Sequence, residues 1–207
     1  MTFIAVKAGF PRGILLQELE DIFGFIIELD KLKGVLRKTR PIGLQRYENS
    51  AEHSWHVCMA AIMLREYANE PVDIDRVIKM LLIHDIGEID AGDTIVYSAE
   101  TPQVKAEEEA GLRRVLGLLS EAVAQEYIDL WLEFEAGESA DARYAKSIDR
   151  IPPLLHNLHG DGLSWKENAI SEQRVLNLNS RIKDGSSAVW DSLESKLKDA
   201  FSKGLLS

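Results

Sequence analysis

The sequence predicts an all-α fold built as a single domain, and three observations carry that reading. Apolar residues recur at helical spacing along most of the chain. Residues that cap helices stand at the start of one periodic stretch after another. No internal repeat and no linker rich in Pro, Gly or Ser divides the 207 residues, a length that suits one domain over residues 1–207.

The elements run in order from the N-terminus. Leu15, Leu19, Ile22, Phe23, Ile26, Ile27 and Leu32 recur at helical spacing between Ile14 and Leu36, and Gly34 and then Thr39 to Gly43 break the pattern into a loop that runs to Asn49. Ser50 is read as the N-cap of a helix from Ala51 to Ala68, and Asp73 caps a second from Ile74 to about Glu88. Ile89 to Thr101, with Gly92 and few helix formers, is read as a loop. Thr101-Pro102 reads as an N-cap followed by proline in the first turn of a helix to about Leu119. Ser120 opens Glu121 to Ala136, which Gly137 closes, and Ser139 opens a helix through Arg150 that Pro152-Pro153 must end or kink. Helices over about Asn168 to Ile182 and Ser187 to Gly204 complete the chain.

Composition excludes several classes of function. Hydrophobic residues make up 45% and charged residues 28%, a globular balance that excludes a disordered tail protein. A formal net charge of −10 argues against binding a nucleic acid polymer, which needs many phosphate contacts from Lys and Arg. An anionic substrate then requires a local metal ion or a few Arg residues to overcome the overall field. The single cysteine, Cys58, forms no intrachain disulfide, and a cytoplasmic location is expected. No apolar run reaches the roughly 18 residues needed to span a membrane, and Met1 to Phe10 does not read as a signal peptide.

The informative positions are polar residues on apolar helix faces. One row of the helix from Ile74 runs Ile74, Ile78, Leu81, Asp85, and its neighbour runs Val77, Leu81, His84, Glu88. An imidazole and two carboxylates therefore close an inward face, where an unpaired carboxylate costs several kcal/mol. The preceding helix carries His53 at the head of a row through Val57, Ala60 and Leu64, and the helix from Ser139 carries Asp149 after Ala142 and Ala145. His53, His84, Asp85 and Asp149 are ligand types for a borderline or hard divalent ion, and two nitrogens with two carboxylates leave positions open for water or substrate. A single inward histidine is more often a satisfied core residue, and spacing alone leaves the two readings about even.

These segments resemble a known family. Glu52-His53-Ser54, His84-Asp85-Ile86-Gly87-Glu88, Gly92-Asp93 and Ser147-Ile148-Asp149-Arg150 look like the H…HD…D signature of the HD-domain superfamily of metal-dependent phosphohydrolases, closest to its 5′-deoxynucleotidase branch, over roughly Leu32 to Leu163. The resemblance implies a compact all-α HD-domain fold and one divalent ion (Co, Mn, Mg, Fe, Ni or Zn) on His53, His84, Asp85 and Asp149. It further implies release of phosphate from a nucleoside 5′-monophosphate. Glu88 matches the acid that orients the attacking water, and Asp93 a second acid near phosphate and sugar. Arg40 is the best match to the family's phosphate-binding arginine, with Arg37 and Arg46 as competitors. Pro41 stands where the deoxynucleotidases carry a tryptophan that helps select deoxyribose. Ile89 separates Glu88 from Asp90, unlike the adjacent pair of the branch acting on guanosine tetraphosphate, and the Gly-Tyr-Pro motif of the cyclic-dinucleotide branch is missing.

Other residues carry weaker signals. His56 either supports His53 or ligates a second ion, whereas His156 and His159 are read as structural. Trp55, Trp131, Trp165 and Trp190 are read as core, and Arg143, Lys146 and Arg150 as a solvent-side face on which Arg150 steadies Asp149. The C-terminal amphipathic helices suit a homodimer, as in relatives. The alternatives to a nucleotidase are a metal-binding scaffold without turnover and a hydrolase of another phosphoester.

Overall fold

A computed structural model describes residues 12–97 and 101–206, so Met1 to Phe10, not read as a signal peptide, lies outside the described residues. Helix α1 (Arg12–Leu29) passes into a 3-10 turn, Asp30–Gly34, and the chain then extends. The stretch read as an open loop is pinned by a small antiparallel ladder: Leu36 bridges Asn49, the Arg37 N–H donates to the Glu48 carbonyl (2.8 Å), and the Glu48 N–H donates to that of Thr39 (2.9 Å).

Helix α2 (Ser50–Leu64) starts one residue before the predicted position. Asn49 is its N-cap, and its side chain accepts from the Glu52 N–H while the Glu52 carboxylate accepts from the Asn49 N–H. This reciprocal cap leaves the Ser50 hydroxyl free for a partner outside the helix. Helix α3 (Ile74–Ile83) is capped by Asp73 as expected but ends well short of Glu88. His84 to Gly87 form tight turns, with Ile86 N–H donating to Ile83 O and Glu88 N–H to Asp85 O, before a short helix α4 (Glu88–Ala91) begins.

Close backbone approach explains that break. Helix α5 (Pro102–Leu116) crosses the turn at Gly111, and a Cβ on Gly87 would lie 2.2 Å from the Glu108 carbonyl oxygen. A Cβ on Gly111 would lie 2.6 Å from the Gly87 carbonyl oxygen. Only glycines let the two backbones meet, and this contact sets where Glu88 starts its own helix.

Helix α6 (Glu121–Ala136) ends at Gly137 in the left-handed region, φ +64°. Helix α7 (Ala140–Asp149) is capped by Ser139 and is followed directly by α8 (Ile151–His159). The proline pair therefore opens a helix, because a first-turn proline lacks only an N–H that would have no helical partner. The single helix predicted over Asn168 to Ile182 is instead α9 (Leu163–Glu167), α10 (Glu172–Asn179) and a 3-10 turn, Ser180–Asp184. Ala169 at φ +51° breaks the helix there, and Ser171 caps the next one. Helix α11 (Ser187–Ser202) ends the fold.

Helix α3 lies at the centre, packed by α2, α6 and α7. Val77, Met80 and Leu81 are fully buried against Val57, Ala61, Ala142, Ala145 and Ile148. The alanines are what allow α2, α3 and α7 to approach closely, so the polar residues at the ends of their inward rows converge. Trp131, Trp165 and Trp190 are buried as expected, but Trp55 is exposed, because it stands on the outer face of α2 beside the inward His53. Among the described residues, no helix is long and apolar enough to cross a membrane.

Candidate metal centre

His53 comes from the first turn of α2, His84 from the residue after α3, and Asp149 from the last turn of α7. One donor atom from each lies within 4.8 Å of the others. His53 Nε2 is 2.8 Å from Asp149 Oδ1, and His84 Nε2 is 3.4 Å from the same oxygen. His84 Nε2 also lies 3.1 Å from Asp85 Oδ1. The Asp85 carboxylate sits at the rim of this triad, 4.0 Å from His53 Nε2, with Arg37 Nη1 donating to its Oδ2 at 2.7 Å.

The donors fit a divalent cation. His84 Nδ1 donates to the Leu81 carbonyl at 2.8 Å; a carbonyl only accepts, so Nδ1 carries a proton and Nε2 is the atom turned toward the carboxylates, where it can ligate once deprotonated. That buried Nε2 has no hydrogen-bond partner. Burial opposes protonation of His84, but Asp85 and Asp149 outweigh it and raise its pKa to about 9. A cluster that draws a proton onto an imidazole so strongly offers the same field to a borderline metal ion. Burial likewise disfavours ionised Asp149, yet His53 and His84 hold its pKa well below the ordinary carboxylate range.

Comparison with known proteins agrees with this geometry. A family profile described as "HD domain" matches residues 29–190. The chain belongs to the HD-domain family. A crystal structure described as a predicted metal-dependent phosphohydrolase from Magnetospirillum magnetotacticum MS-1 is 42% identical, has a TM-score of 0.86, and is matched over 92% of this chain and 99% of its own. The human protein named 5′-deoxynucleotidase HDDC2 is 24% identical over 154 residues, 71% of this chain and 74% of the relative. Its Dictyostelium discoideum namesake is 29% identical over 140 residues, 62% of this chain and 74% of the relative. A conserved hypothetical protein of Pyrococcus furiosus, 21% identical with a TM-score of 0.62 over 87% of this chain and 99% of its own, shares the fold.

In this HD-domain chain His84 and Asp149 of the triad line a cavity of about 710 Å³ that Arg37, Asp85, Glu88 and Asp93 also line, and His53 is fully buried behind them. Glu88 stands at the start of α4, buried, and its Oε2 accepts from the Ser50 hydroxyl at 2.6 Å. It reaches the cavity because α4 restarts there, not because it continues a helix face from His84. Burial first, then Asp85, pushes its pKa up to about 9, against the pull of Arg37 and the Ser50 hydrogen bond. Asp93 comes after Gly92, whose φ of +77° turns the chain back into the cavity. Burial raises the pKa of Asp93 while Arg37, 3.7 Å away, lowers it. Tyr97 anchors this segment: Trp165 Nε1 and Asn179 Nδ2 each donate to its hydroxyl at 3.1 Å.

The three candidate arginines separate in space. Arg37 projects into the cavity between Asp85 and Asp93, because the Leu36–Asn49 bridge fixes the extended backbone there. Arg40, the first choice from sequence, pairs instead with Glu167, lies over the Tyr47 ring at 5.0 Å, and lines a separate depression. Arg46 pairs with the capping Glu52. Linear distance from His53 carried no signal that would have chosen among them. Arg143, Lys146 and Arg150, expected to face solvent, line the cavity and give it basic character opposite the acids.

Proposed function

We propose that this chain is a metal-dependent phosphohydrolase that releases phosphate from nucleoside 5′-monophosphates. The observation that carries the reading is the convergence of His53, His84 and Asp149 on one point beside a cavity that His84 and Asp149 line together with Glu88, Asp93 and Arg37. His53, His84 and Asp149, with Asp85 as a fourth ligand, would hold the ion. When bound, the ion neutralises phosphate charge and polarises a phosphate oxygen.

The chain's own groups do the rest. Arg37 presents its guanidinium to the phosphate, which is how a chain of net charge −10 admits a dianion. Glu88, held through one oxygen by Ser50, turns the other toward an attacking water and takes its proton. Extra positive charge beside Asp85 lowers the raised pKa of Glu88, which restores the carboxylate a base needs. Asp93 carries a raised pKa and stands beside Arg37, so it is placed to hold the sugar or give a proton to the leaving ribose oxygen. A bare scaffold has no chemical need for two buried acids at such a cavity.

A second copy of the chain is the expected partner. Leu19, Ile22, Phe23, Ile26 and Ile27 on α1 and Met59 and Met63 on α2 are all exposed, an apolar surface suited to a homodimer. The deciding experiment measures phosphate release from deoxynucleoside and ribonucleoside 5′-monophosphates, diphosphates and triphosphates with Co²⁺, Mn²⁺ or Mg²⁺ added. Metal-dependent turnover of a monophosphate is expected. Metal binding without turnover of any of these would favour the scaffold reading.

A further inference from the structure

A second group of ligands lies near the first, and its members come from parts of the sequence with no shared motif. Glu48 is carried by the ladder before α2, His56 by α2 one turn after His53, and His156 by α8. One donor atom from each of the three lies within 4.8 Å of the others. The two imidazole centroids are 5.5 Å apart, and Glu48 Oε1 is 3.9 Å from His156 Nδ1. Thr39 Oγ1 is 3.1 Å from His156 Nδ1.

We propose that Glu48, His56 and His156 form a second cation site that takes a borderline divalent ion such as Zn²⁺. Two imidazoles and one carboxylate are a ligand set that binds zinc while leaving a position open. Glu48 is 2% exposed; its Oε2, which has no hydrogen-bond partner, lies 3.5 Å from Arg37 Nε and 3.6 Å from His53 Nδ1, while its Oε1 is the oxygen turned toward His156. Arg37 is the cationic neighbour of this buried carboxylate on the Oε2 side, and a cation beside Oε1 would offset more of its burial cost. Burial lowers the pKa of His156, against the pull of Glu48, which favours the neutral imidazole that a cation needs. His156 also lines a depression of about 220 Å³.

Glu48 ties the two centres together. One of its oxygens faces His53 Nδ1 while the other faces His156 Nδ1, so a single carboxylate orients a ligand of the first centre and belongs to the second. The proposal stands apart from the nucleotidase reading, since a second ion is countable without any turnover.

The test is a metal count. The protein is stripped with chelator, dialysed against Zn²⁺ alone, and analysed by mass spectrometry for zinc per chain. Two equivalents are expected for the native sequence, and one for the His56→Ala/His156→Ala variant. Asp149→Ala should lose the other equivalent, so the two centres fail separately. A native count of one, or an undiminished count of two in the double variant, overturns the proposal. Should circular dichroism show the double variant unfolded, His56→Phe keeps a ring at a half-buried position. It should weaken the second equivalent at least 100-fold, and two unchanged tight equivalents in it would equally overturn the site.

Discussion

Arg37 Nη1 donates to Asp85 Oδ2 at 2.7 Å, so the guanidinium that faces the cavity and the carboxylate at the rim of the metal triad share one contact. The pairing does two jobs. It gives the buried Asp85 carboxylate a cationic partner, and it fixes the guanidinium plane at the cavity edge where an anion would enter. Burial works against the charge on Arg37, but Asp85, Asp93, Glu88 and Asp149 together raise its pKa further.

Arg37→Ala should lower kcat/KM for a nucleoside monophosphate by about 100-fold, the value of a charge-assisted hydrogen-bond pair to phosphate. Arg40→Ala should change it less than about twofold by the standard of an exposed ion pair. Steady-state phosphate release from both variants decides between the two arginines, and the reverse ranking would return the role to Arg40.

Glu88→Gln should retain its metal ion and still accept the Ser50 hydrogen bond, yet lose about 10²–10⁴ in kcat, the range for a general base. Asp85→Ala should lose metal instead. Elemental analysis beside turnover separates the two effects, and full activity in Glu88→Gln would place the base elsewhere.

Metal binding should release a proton. His84, with its pKa raised to about 9, is protonated at neutral pH in the metal-free protein and must become neutral to ligate. Affinity should therefore rise with pH, by about tenfold per unit below pH 9 for one released proton. Calorimetric titrations at pH 6, 7 and 8 check the slope; a pH-independent affinity would exclude His84 as a ligand.

Gly87→Ala should destabilise the fold and displace α4, because its new Cβ would lie 2.2 Å from a backbone oxygen of α5 that cannot rotate away. The expected cost is about 1–3 kcal/mol, with Tm falling by about 2–4 °C for each kcal/mol. Gly24→Ala in α1 meets nothing within 4 Å and should stabilise by about 0.5–1 kcal/mol. Thermal melts of the two variants should move in opposite directions.

Replacing Phe23 and Ile26 with Glu should convert the proposed dimer to a monomer. Both side chains are exposed on α1, where a charge costs the isolated fold little and opposes apolar pairing. Light scattering after size exclusion reads the mass, and an unchanged dimer would place the interface elsewhere.

Much of this was legible from the residues in order. Helix starts at Asp73, Thr101 and Ser139 arise from side chains that accept the first free N–H groups, a strictly local event. Glu88 and Asp93, candidates by motif, both line the cavity. The end of α3 was not, because the approach of Gly111 that breaks it comes from a distant helix. The same applies to Ala169 and to the prolines that open α8, where local signals mark a change of direction but not the element that comes next.

By itself, the order of residues determined the helical class and the polar interruptions on apolar rows, which supplied four candidate ligands. Helical periodicity and capping act within a few residues, so a linear reading recovers them. Tertiary structure alone decided that Arg37 and not Arg40 faces the cavity, that His156 joins His56 and Glu48, and that Trp55 stays outside. Those outcomes depend on which backbones press together, and contacts between distant segments leave no mark on the spacing of either one.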